Sequence, residues 1–60
     1  MIGFIEVHNS VTGSLMYLNI ANIVRIQFHG DRTDVFTVSK EVFSVSDSIT
    51  YIEEQIGKCL

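Results

Sequence analysis

Val24-Arg25-Ile26-Gln27-Phe28-His29-Gly30-Asp31-Arg32-Thr33-Asp34-Val35-Phe36-Thr37-Val38 decides the fold of this chain. From Val24 to His29 the apolar residues fall at every second position, the period that sends successive side chains to opposite faces of a strand. Val24, Ile26 and Phe28 are expected on one face, and Arg25, Gln27 and His29 on the other. Gly30-Asp31-Arg32-Thr33 is rich in turn formers, and Asp34-Val35-Phe36-Thr37-Val38 resumes a β-branched and aromatic composition. The stretch reads as an antiparallel hairpin around which the other elements pack.

On its N-terminal side, Phe4-Ile5-Glu6-Val7-His8 predicts a strand with Ile5 and Val7 on one face, followed by a polar turn ending at Gly13. Ser14-Leu15-Met16-Tyr17-Leu18 predicts a second strand pairing back on the first. Asn19-Ile20-Ala21-Asn22 predicts a compact corner, with asparagine side chains bonding nearby backbone and Ile20 tucked under the sheet. On the C-terminal side, Ser39-Lys40 makes a turn, and Glu41-Val42-Phe43-Ser44-Val45 predicts a fifth strand with Phe43 and Val45 sharing a face.

Ser46-Asp47-Ser48 gathers residues that accept from the first amides of a helix. Behind it Ile49, Ile52 and Ile56 recur at spacings of three and four, with Val45 before them and Leu60 after. That is the apolar stripe of a short helix. Glu53, Glu54 and Gln55 form its solvated side, and Gly57-Lys58 predicts its end. A helix near ten residues long is not stable alone, so it must dock on the sheet. The expected architecture is α+β: one domain spanning residues 1–60, an antiparallel meander of about five short strands with a C-terminal helix packed on it.

Sixty residues bury only about 60% of the surface that the unfolded chain exposes, so a single core is marginal without a disulfide, a metal or association. The single Cys59 makes no internal disulfide and fits a reducing compartment. His8, His29 and Cys59 lack the paired spacing of a zinc site, and no cofactor is expected. Association is the favoured source of stability. A hydrophobic fraction of 47% points the same way. No leader or membrane-spanning run is present, so a cytoplasmic protein without membrane insertion is expected. The net charge is −3, with Arg25, Arg32, Lys40 and Lys58 scattered along the chain. That argues against general nucleic-acid binding, which concentrates Lys and Arg.

Gly13, then Tyr17-Leu18-Asn19, then Asn22-Ile23-Val24-Arg25-Ile26, and finally Val45-Ser46-Asp47-Ser48-Ile49 leading into Ile52 and Ile56, resemble the small FlbD/SwrD-type proteins. Those are accessory proteins of flagellar and swarming motility, and similar short proteins occur in phages and prophages. The resemblance covers most of the chain. Where the family commonly carries a second glycine turn this chain has Ser39-Lys40, and Asp47 stands for the acidic residue before the helix. The resemblance implies the sheet-plus-helix fold and brings no catalytic set.

Three groups of residues carry the functional expectations. Arg25, Gln27 and His29 share a strand face with Arg32 in the adjoining turn, a set able to grip an anion through charge-assisted hydrogen bonds. A solvated face with Asp31 and Asp34 pairing Arg32 is the plainer account of the same residues. The serines look like turn and cap residues, none in a strained nucleophile elbow, and Glu53 and Glu54 diverge by about 100° on a helix. No enzyme is expected. In Phe4-Ile5 and Val42-Phe43 two large apolar residues are adjacent, so one of each pair points away from the helix-covered face. Phe4, Met16 and Phe43 are taken as interface residues, with Ile2 and Val35 or Phe36 adding to that second face. The expected protein is a non-enzymatic homo-oligomer acting as a binding or adaptor protein. The alternatives are a phage counter-defence protein that sequesters an anionic nucleotide between subunits, and an inhibitor that docks an edge strand on a host enzyme.

Overall fold

The alternating and helical periods of the sequence become five strands, one 3₁₀ turn and one α-helix in a computed structural model describing residues 3–59. In order they are β1 (Phe4–His8), β2 (Leu15–Asn19), the turn Ile20–Asn22, β3 (Ile23–His29), β4 (Arg32–Thr37), β5 (Val42–Val45) and α1 (Ile49–Cys59). Ile2 and Leu60 lie outside the described residues.

The strands form two antiparallel sheets, β1-β2 and β3-β4-β5. The break falls at the corner, where Asn19 caps the 3₁₀ turn by accepting from the Ala21 amide. The two sheets meet again at the other end of β1. Asn9 bridges to Val45, the Ser10 amide donates to the Ser44 carbonyl and the Ser46 amide to the His8 carbonyl. The chain therefore curls, bringing the first strand beside the fifth.

The core lies where the sheets face each other and the helix. Ile5, Val7, Leu18, Val35, Val45 and Ile52 are buried, with Met16, Ile20, Ile23, Ile26, Phe43 and Ile56 packed against them. Thr33 is 1% exposed and donates its hydroxyl to the Asp47 carbonyl, which satisfies a polar group in this apolar setting. Ser48 caps α1 by accepting from the Tyr51 amide at 3.0 Å. The helix runs through Gly57 and Lys58 to Cys59, because Gly57 stays helical instead of turning left-handed.

In β3 the strict alternation is broken. Ile23 pairs with Thr37 and Arg25 with Phe36, so Val24 is an extra residue in a bulge. Ile23 instead of Val24 joins Ile26 on the core side, and Val24 is 61% exposed. A bulge of one residue inverts the parity on which any count by twos depends.

The two hairpin turns of the three-stranded sheet differ in how their residues suit the backbone. Gly30 takes φ of 75° in the two-residue loop between His29 and Arg32, at the first central position that a type II′ turn reserves for glycine. In the next turn Lys40 takes φ of 69°, a conformation that crowds any side chain. Lys40→Gly is expected to stabilise the fold by about 0.5–1 kcal/mol, a rise in Tm of roughly 2–8 °C for a domain of this size. A lower Tm in a thermal melt refutes that reading of the turn.

Candidate binding surfaces

Cross-strand pairing gives the three-stranded sheet two chemically different sides. Thr33, Val35 and Thr37 of β4 alternate with Asp34 and Phe36, and their partners follow: Gln27 and Ser44 flank Asp34, Arg25 and Val42 flank Phe36, and His29 faces Arg32. Arg25, Gln27 and His29 therefore share the outer side, as the alternation predicts, and Arg32, expected in the turn, joins them as the first residue of β4. On that side each guanidinium already has a partner. The Arg25 guanidinium stacks 4.0 Å from the Phe36 ring centre, and Arg32 Nε donates to Asp34 Oδ1 at 3.3 Å. Asp34 accepts from Ser44 as well, at 2.9 Å, which fixes a carboxylate in the middle of the group. Gln27 and His29 are exposed.

The expected interface residues separate. Met16 sits opposite the buried Val7 and Phe43 opposite the buried Val35, so both are half-buried against the core. Of the adjacent pair, Val42 takes the outward position and is 51% exposed. Phe4 pairs with Asn19 on the other side of the two-stranded sheet, with Glu6 and Tyr17. There the Tyr17 hydroxyl donates to Glu6 Oε1 at 3.2 Å, and the Glu6 charge, then the hydrogen bond, raise its pKa above the usual tyrosine value.

Between the sheets, at the corner end, lies a cavity of about 240 Å³ that sequence reasoning missed. Leu18, Ile23 and Phe43 give it apolar walls, and Asn19, Asn22, Thr37, Ser39 and Glu41 its polar ones. Its residues come from all five strands and two turns, and no local motif marks them. The Ser39 hydroxyl donates to Glu41 Oε1 at 2.9 Å and lies 3.0 Å from Thr37 Oγ1. The lining holds one carboxylate and no cation, so its charge disfavours an anion. It is smaller than the roughly 300 Å³ at which pockets for drug-sized ligands begin.

The third cluster ties the helix start to the sheet. Asp47 Oδ2 accepts from the His8 amide at 2.6 Å, and Asp47 Oδ1 lies 3.2 Å from His8 Nδ1. Along the same strand edge the Tyr51 hydroxyl donates to the Glu6 carbonyl and the Cys59 thiol to the Phe4 carbonyl, each at 3.2 Å. Desolvation, then the Asp47 and Glu6 charges, raise the Tyr51 pKa. Cys59 is thus a docking group of the helix. Among the described residues no three of His, Cys, Asp and Glu gather as metal ligands, and no helix is long and apolar enough to cross a membrane. No family model, curated protein or solved structure matches the chain.

Proposed function

We propose that the chain is a small non-enzymatic binding protein, an adaptor of bacterial or phage type that works through the surface of a homo-oligomer. One observation carries this reading. Among the described residues six apolar side chains are buried, whereas seven large ones, Val11, Leu15, Tyr17, Val24, Phe28, Val38 and Val42, stand 47–88% exposed. Four of the seven belong to the three-stranded sheet or the turn joining β4 to β5. Apolar surface in that proportion favours a protein contact. The side-chain chemistry supports a role without catalysis, because the hydroxyls serve as structural groups: Ser48 caps the helix, Ser39 closes a turn and Ser44 holds Asp34. The FlbD/SwrD resemblance, which implies an accessory role, agrees.

Light scattering joined to native mass spectrometry tests it. The expected result is a mass of two or more copies across the micromolar range, and a monomer throughout overturns the proposal.

A second reading draws on the placement of Arg25, Gln27, His29 and Arg32 on one sheet side. It assigns that side to a small anionic ligand, such as a nucleotide. A ligand that binds only the folded chain raises its Tm. This reading therefore expects a nucleotide panel to contain a member that raises Tm and fails to do so with Arg25→Ala. No shift from any member, or a shift that survives both Arg25→Ala and Arg32→Ala, removes it.

A further inference from the structure

We propose that two copies pair antiparallel through the free edges of β3, about a two-fold axis at Gln27, joining two three-stranded sheets into one of six strands. The inference rests on the self-association proposed above and names the surface that carries it.

The strand edges of this fold are treated unequally. On β1, the outward groups of Phe4, Glu6 and His8 are taken by the Cys59 thiol, the Tyr51 hydroxyl, the Ser46 amide and the Asp47 carboxylate. On β5, the Ser44 carbonyl receives the Ser10 amide. β3 has no such cover. Its two-residue loop closes on His29 and Arg32, which makes His29–Arg32 and Gln27–Asp34 the hydrogen-bonded pairs with β4. The alternation then turns the amides and carbonyls of Ile26 and Phe28 outward. Among the described residues no loop or side chain hydrogen-bonds to them.

β3 also lacks the usual protection of an edge. At seven residues it is the longest strand. It holds no proline, lysine or inward charge, and its bulge lies at the far end, between Ile23 and Arg25. The β2 edge is shorter, at five residues, and ends where Asn19 turns to cap the corner.

A second β3 fits this edge in one register that avoids the bulge. With Gln27 opposite Gln27, Ile26 of each copy faces Phe28 of the other, and these are the residues whose backbone groups point outward. Both belong to the core side of the sheet, so the same pairing covers Phe28, which is 57% exposed. On the outer side the two Gln27 amides meet at the axis. Arg25 comes opposite His29 of the second copy, with the exposed Asp31 carboxylate of that copy's hairpin tip at the next diagonal position. Charge and apolar contacts are both met by the same strand reversed, as a two-fold interface requires.

Cross-linking tests the register. Residues opposite each other at the axis are a non-hydrogen-bonded pair, with Cα atoms about 4.5 Å apart, close enough for a disulfide. In a Cys59→Ser background, Gln27→Cys is expected to form a disulfide dimer under mild oxidation. Arg25→Cys alone does not, whereas Arg25→Cys mixed with His29→Cys does. Gln27→Lys sets two like charges against each other across the axis and next to its own Asp34, which keeps the hairpin folded. It is expected to weaken the dimer at least roughly tenfold with an unchanged circular dichroism spectrum. If the wild type associates but Gln27→Cys does not cross-link and Gln27→Lys keeps the wild-type mass, another surface carries the association and the β3 assignment is overturned alone. A monomeric wild type overturns both proposals.

Discussion

Ile52→Ala is expected to leave the chain largely unfolded at 37 °C. Ile52 is fully buried, and its side chain comes from the one helix to fill the core formed by Ile5, Val7, Leu18, Val35 and Val45. Truncating a buried isoleucine to alanine costs about 2–5 kcal/mol, through lost transfer free energy and the cavity left behind. A domain of this length has only about 3–9 kcal/mol in total at the usual 0.05–0.15 kcal/mol per residue. The helix has no independent stability to fall back on, since eleven residues are too few to persist in water undocked. Urea titration followed by circular dichroism measures the loss. A midpoint moved by the equivalent of less than about 1 kcal/mol contradicts the docking of α1 described here.

The second large effect is expected at Asp47. Its carboxylate joins the start of α1 to the backbone of β1, 39 residues earlier in the chain, by accepting from the His8 amide, next to the bond from the Tyr51 hydroxyl to the Glu6 carbonyl. Its carbonyl receives the buried Thr33 hydroxyl. Asp47→Ala leaves the His8 amide without its acceptor at an edge the helix covers, and a charge-assisted bond of this kind is worth about 1.5–3 kcal/mol. Asp47→Asn keeps one acceptor oxygen and is expected to lose roughly half as much. Hydrogen exchange gives a local readout, because the His8 amide should exchange faster in Asp47→Ala than unfolding alone requires. Equal losses for the two variants, or an unchanged His8 amide, contradict the bond.

Reading by period succeeded where a contact lies within one element and failed where it depends on two. Ile5 and Val7 on β1, and Ile52 and Ile56 on α1, follow from spacing alone because a strand or helix converts spacing directly into a face. The bulge at Val24 does not, since it is defined by the partner strand: two residues of β3 against one of β4. The candidate anion group shows the same limit. Three of its members, Arg25, Gln27 and His29, could be placed on one side by counting, but the engagement of Arg25 with Phe36 and of Arg32 with Asp34 is a property of β4. Likewise Met16 and Phe43 were apolar candidates for an outer surface, and the register with Val7 and Val35 turned them toward the core.

By itself the sequence determined the element order, a helix cap within Ser46-Asp47-Ser48, the corner at Asn19-Ile20-Ala21-Asn22 and the existence of an apolar face on each element, because each is a local matter of side-chain period, hydrogen-bonding reach and allowed backbone angles. The tertiary structure alone decided that β1 closes on β5 through Asn9 and Val45, that Asp47 reaches His8, that Lys40 is held at a positive φ, and that the cavity between the sheets is lined by residues from all five strands. Those features join segments distant in the chain. Which segments meet is set by the burial of the whole set of apolar faces at once, and no single stretch records it.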